Sequence, residues 1–297
     1  MAVELGRREE QSPPKSEFVA KLEARWEKGH FVCVGLDSDL ARIPQAAREN
    51  TPFAMHPDAG AILRFNREII SATADLVCAF KPNIAFYEAQ GVLGMEALWE
   101  TVKFIKWNYP DIPVILDAKR ADIGNTNDGY VRAAFEVLDV DAITVHPYLG
   151  KEALKPFLDR KDKGVFVLAR TSNLGAGEFQ DLLVGEEPLY KIVARNVADS
   201  WNGNGNCGLV VGATYPQELA QIRAVVGSLP ILIPGIGAQG GDVEATVKAG
   251  RDSRGMGMII NSSRGIIFAS KGPDFAYAAR KAAQQLRDEI NQYRQAA

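Results

Sequence analysis

Two stretches of this chain carry charged residues at spacings suited to proton transfer and electrostatic catalysis. In residues 116–126, LDAKRADIGNT, Asp117 and Lys119 stand two apart and Asp122 follows three later. On a β-strand, residues two apart share a face, so Asp117 and Lys119 project together with Ile115 while Val114, Leu116 and Ala118 face the other way. Burying either charge alone is costly, so the pair reads as one unit. Asp122 lies past the strand end and projects from a loop. Lys81, in CAFKPN, closes another apolar run. At the same height on a neighbouring strand it completes a Lys–Asp–Lys–Asp array of zero net charge, in which each group keeps its neighbours ionised. A lone Asp-x-Lys commonly serves as a structural ion pair, and Arg120 or Asp122 taken singly reads as solvated surface. Four charges at adjacent strand ends in an apolar scaffold point instead to catalysis.

A second group suits an anion. IPGIGAQGGD (233–242) and INSSRGI (260–266) both follow apolar runs. Glycines let backbone amides approach a phosphate, and the next helix N-terminus adds its dipole. Gln239 can donate one hydrogen bond and Arg264 a bidentate, charge-assisted pair. Tight turns alone explain many glycine runs, and Arg264 is what makes these specific. His146, in TVHPYLG, reads as a lining or packing histidine. With no second histidine or carboxylate at ligand spacing, no metal site is expected. Ser172, in RTSN, lacks a nucleophile elbow, which disfavours acyl chemistry.

The elements that must position these groups follow from hydrophobic patterning. Eight apolar, β-branched segments recur: 31–37, 78–83, 114–119, 142–149, 164–171, 208–215, 230–237 and 257–265. Their apolar cores are continuous rather than alternating, as suits parallel strands covered on both faces. Helical spacing fills 61–74, 87–107, 125–138, 185–201, 216–226, 241–249 and 273–294, and 171–188 reads as a long loop. The expected fold is an α/β (β/α)₈ barrel in a single domain, with functional groups at the C-terminal strand ends. A doubly wound open sheet is disfavoured because the first turn, GLDSDL, lacks the G-x-G-x-x-G fingerprint.

Composition agrees. The 297 residues are 46% hydrophobic and 24% charged with a net charge of −3, which excludes a disordered chain and argues against a dedicated nucleic-acid binder. No apolar run approaches the roughly 18 residues of a membrane span. Cys33, Cys78 and Cys207 are far apart and read as reduced thiols. Residues 1–15 read as a flexible leader rather than a signal peptide, leaving 16–297 as the barrel and the cytoplasm as the expected location. The leader and the helix after it, about thirty residues, are too few for another domain.

FKPN (80–83), LDAKRADIGNT (116–126), RTSN (170–173), IPGIGAQGG (233–241) and SSRG (262–265) together resemble orotidine 5′-phosphate decarboxylases, in their longer bacterial form. The match runs from about Phe31 to Arg264 in the right order, and DAKRADIGNT is its most specific part. The resemblance implies a cofactor-free and metal-free carboxy-lyase of pyrimidine synthesis that converts orotidine monophosphate to UMP and carbon dioxide. It implies that Lys119 donates the proton, Asp117 lies against the substrate carboxylate and Lys81 orients Asp117. Asp122 then completes the array from the other subunit of a homodimer, with Thr126 also reaching across. Asp37 looks like the ribose contact, Thr171 or Ser172 the pyrimidine contact, and Pro234, Gln239 and Arg264 the phosphate region. Gly124 departs from many relatives, which carry proline there. Magnesium-dependent sugar-phosphate relatives also resemble DxKxxD, but they place an acidic metal ligand where this chain has Lys81.

Overall fold

The computed structural model describes residues 15–49, 56–236 and 241–295. Eight parallel strands form the expected barrel: β1 (Val32–Leu36), β2 (Val77–Pro82), β3 (Ile115–Arg120), β4 (Ala142–Val145), β5 (Gly164–Arg170), β6 (Cys207–Val211), β7 (Ile231–Pro234) and β8 (Met258–Ser262). Each pairs with its neighbours in chain order, and β8 pairs with β1. Isolated bridges from Phe80 to Val114 and from Asn83 to Asp117 join β2 to β3 and close the ring. The continuous apolar runs have the cause anticipated for them. β1, β2, β6 and β8 are buried at every position, inside against the barrel core and outside against helices. Burial pushes the Cys33 and Cys207 thiols up to about 12, so both are inert packing groups.

The helical regions differ in detail. The segment expected at 87–107 is two helices, Ile84–Glu88 and Gly91–Asn108, separated where Gly91 takes φ +62°. The helix expected from 125 runs Asn125–Val131 and widens into a π turn over Arg132–Val137. The one expected from 185 starts only at Leu189, because Leu183–Val184 and Glu187–Pro188 form a small antiparallel hairpin. The loop expected at 171–188 is therefore structured, with a helical turn at Gly177–Gln180 before that hairpin. A further helix, Gly150–Leu158, links β4 to β5, and Pro156 within it masks its pattern in the sequence.

β3 is the irregular strand. Leu116 pairs with Ile143 and Arg120 with Val145, so Asp117, Ala118 and Lys119 all lie opposite the single residue Thr144. Lys119 takes φ +49°, a left-handed conformation rare for a residue with a side chain. Asp117 and Lys119 do point into the same space, but through this bulge and not through the regular alternation expected. Just beyond, Gly124 takes φ +53° and starts the helix at Asn125. Proline is locked near −65°, so the departure at this position has a backbone cause.

Candidate active site

A cavity of about 510 Å³ opens at the C-terminal ends of the strands. Its floor takes residues from around the whole barrel. Asp37 follows β1, and Lys81, Asp117, Thr144 and Asn261 come from β2, β3, β4 and β8. Leu168, Val210 and Leu232, on β5, β6 and β7, make the other half apolar. The charged and apolar halves face each other across a space large enough for a nucleotide-sized ligand.

Asp117 is the centre of the charged half. Its Oδ2 lies 3.2 Å from Lys81 Nζ and its Oδ1 lies 2.6 Å from Lys119 Nζ. The Lys81 and Asp117 side chains are 4% and 13% exposed, whereas Lys119 is 50% exposed and reaches into the open cavity. Burial alone would raise the Asp117 carboxyl, but the two ammonium groups and hydrogen bonds from Lys119 and Thr144 hold it well below the usual carboxylate range. Burial alone would lower Lys81, yet Asp117 and Asp37 outweigh it and keep this amine above its ordinary value. The result is a fixed negative charge between a buried cation and a half-exposed one.

Asp122 is apart from this group. Among the described residues it forms no ion pair, and it does not line the cavity. Its loop is pinned by Asn127, whose Oδ1 accepts from the Asp122 amide at 2.9 Å and whose Nδ2 donates to the Asp122 carbonyl at 2.6 Å. Thr126 is exposed on the same turn. Within one chain, the structure brings together three members of the four-charge array.

The remaining predicted positions line the cavity with one exception. Asp37 lines it, with Oδ1 buried and without a hydrogen-bond partner among the described residues. Thr171, Ser172, Pro234 and Arg264 also line it. Gln239 lies outside the described residues. On either side of that segment, the Gly241 amide donates to the Gly235 carbonyl at 3.1 Å. The helix dipole expected after β7 is already engaged, because Asp242 caps Val243–Gly250 by accepting from the Ala245 amide. After β8 no side chain caps Arg264–Ile267. His146 is not among the lining residues, and its backbone amide donates to the Arg120 carbonyl.

Several lining residues were not singled out from sequence. Thr144 sits in an apolar strand with nothing in its spacing to mark it. Asn83 lies within FKPN and caps the helix Ile84–Glu88 through the Ala85 amide. Gln180 holds Thr171, accepting from its amide at 2.8 Å and donating to its hydroxyl at 2.9 Å. Only a reading of the loop as structured would have found it.

Comparison with known proteins decides the lineage. Residues 31–281 match the family model for the orotidine 5′-phosphate decarboxylase / HUMPS family. The chain belongs to this family. An orotidine 5′-phosphate decarboxylase of Ralstonia nicotianae is 51% identical over 93% of this chain and 99% of its own length. One from Azoarcus is 53% identical over the same shares. Among solved structures, the Leishmania donovani OMP decarboxylase superposes with a TM-score of 0.80 at 40% identity, covering 94% of this chain and 99% of that one. The Leishmania donovani UMP synthase superposes at 0.82 with 41% identity, and this chain spans 57% of its length.

Proposed function

We propose that this chain decarboxylates orotidine 5′-monophosphate to UMP and carbon dioxide with no metal or organic cofactor. The observation that carries the reading is Asp117, buried, ionised and held between Lys81 and Lys119 at the edge of a cavity whose rim bears Arg264. With the substrate carboxylate beside Asp117, like charges repel in the ground state. When the bond from carbon 6 to the carboxylate breaks, the electron pair remains on carbon 6 and neutral carbon dioxide leaves, which relieves that repulsion. Lys119 stabilises the developing carbanion and then transfers an ammonium proton to carbon 6, regaining one from solvent. The buried Lys81 stays charged and keeps Asp117 in place.

Asp37, lining the cavity, is assigned to accept from a ribose hydroxyl, and Thr171 or Ser172 suits the pyrimidine edge. Pro234, Gln239 and Arg264 are assigned to the phosphate, whose distant binding energy offsets the repulsion at the reacting end. Asp122 and Thr126 are assigned to a homodimer, each reaching the partner's site, a role supported by Asp122 having no ion pair among the described residues. Residues 16–297 are read as one catalytic domain acting in the cytoplasm on a small-molecule substrate, with no nucleic acid or membrane partner. Among the described residues no helix is long and apolar enough to cross a membrane.

The test follows the ultraviolet absorbance of orotidine monophosphate with purified protein in excess EDTA. Full conversion with equimolar carbon dioxide supports the reading. Activity that EDTA abolishes indicates the metal-dependent chemistry of other family members, and tight UMP binding without turnover indicates a nucleotide-binding barrel.

A further inference from the structure

One side chain touches all three residues of the β3 bulge from the neighbouring strand. We propose that Thr144 is a positioning residue for the decarboxylation, its one hydroxyl fixing both the Asp117 carboxylate and the backbone turn that aims Lys119 into the cavity; this rests on the function proposed above. Thr144 Oγ1 donates to Asp117 Oδ1 at 2.9 Å. The same oxygen accepts from the Ala118 and Lys119 amides, each at 3.0 Å. A hydroxyl has one donor and two acceptor sites, so all of its capacity is spent on the three residues of the bulge. These two amides meet the Thr144 hydroxyl where β3 and β4 lose their regular register, between Leu116 and Arg120.

The surroundings argue against a packing role alone. Thr144 is 1% exposed, and its strand otherwise reads Ala142, Ile143 and Val145, the apolar pattern of a doubly covered strand. Valine would fill the same volume and suit that pattern better. A β-branched side chain is also stiff about χ1, so the hydroxyl is presented in a fixed direction. Lys119 needs such a holder, because its backbone sits at φ +49° without the freedom of glycine. Its amine is half exposed and has only Asp117 as a partner among the described residues, so its aim depends on the turn beneath it.

The experiment compares wild type, Thr144→Val and Thr144→Ser by kcat and KM for orotidine monophosphate, by calorimetric UMP affinity, and by crystal structures of both variants. The valine variant is expected to lose roughly 10- to 100-fold in kcat, the scale of a lost hydrogen bond to a charged group with two amides left unpaired. KM and UMP affinity stay within about twofold, because Thr144 touches the catalytic pair and not the distant binding groups. Serine is expected to restore most of the rate. A valine variant with near-normal kcat overturns the proposal. So does a serine variant as slow as valine, or a loss confined to KM. If wild type itself does not decarboxylate the substrate, the functional reading fails separately. The structures then decide for Thr144: departure of Lys119 from positive φ in the valine variant alone supports it, and an unchanged bulge overturns it.

Discussion

At Asp117 the electrostatics of the site become a statement about acid stability. Burial alone would raise its carboxyl, yet Lys81 and Lys119 hold it below the usual range. A carboxyl depressed by folding contributes stability that is present above its unfolded value, near 4, and is lost as pH falls through the folded one. Asp117→Asn therefore removes part of the acid-dependent loss of stability. It also strands the buried Lys81 ammonium, and at pH 7 we expect destabilisation of about 2–4 kcal/mol, softened by Asp37 nearby. Denaturant unfolding at pH 7 and pH 3 checks both, and equal losses of stability at the two pH values would contradict the pairing. The residue types were legible from sequence, since an acid and an amine ending an apolar strand need each other. Their geometry was not: alternation cannot reveal a bulge whose acceptor lies 25 residues away, where Lys119 N meets Thr144 Oγ1.

Among the elements, the barrel was readable because parallel strands covered on both faces leave continuous apolar runs. Connections were harder, because local patterning competes there with turn geometry. The helix Gly150–Leu158 hid behind Pro156, and the segment at 171–188 concealed a helical turn and a hairpin. That second segment is fastened to the site from two sides. Gln180 binds Thr171, while the buried guanidinium of Arg170 donates to the Thr171 carbonyl at 2.9 Å and to Asp181 Oδ2 at 3.1 Å. The same guanidinium stacks over Tyr215, 3.9 Å from the ring centroid. Asp181 is partly exposed, so the pair is worth about 1 kcal/mol. Asp181→Ala should raise KM by roughly fivefold through a looser Thr171 while kcat changes little, as steady-state kinetics will report. A change in kcat at constant KM would place the loop's role in chemistry rather than in binding.

For the whole molecule, the proposed site and the buried arginines that hold the strand entries lie at opposite ends of the barrel. Charged groups converge on the C-terminal mouth, whereas buried arginines bind the loops that feed the strands from below. Arg223 donates to the carbonyls of Gly227, Leu229, Gly250 and Gly257, at 2.7–2.8 Å in each case. Two of these acceptors lie directly before β7 and β8. Arg223→Met removes a donor from four carbonyls, of which Gly257 keeps the Ile231 amide, and should cost about 3–5 kcal/mol, lowering Tm by roughly 10 °C with kcat retained. Calorimetry beside an activity assay separates the two effects, and a matching fall in kcat at low temperature would deny the division of labour. The net charge of −3 conveyed none of this arrangement. It averages over a mouth where Lys81, Lys119 and Arg264 share a cavity with Asp37 and Asp117.

In the proposed reaction Lys119, aimed by the β3 bulge and paired with Asp117, supplies the proton to carbon 6. Lys119→Ala tests it most directly, with turnover of orotidine monophosphate and affinity for UMP measured on the same preparation. Loss of turnover with UMP affinity within a few-fold of wild type is the predicted result. Turnover near the wild-type rate would contradict the claim.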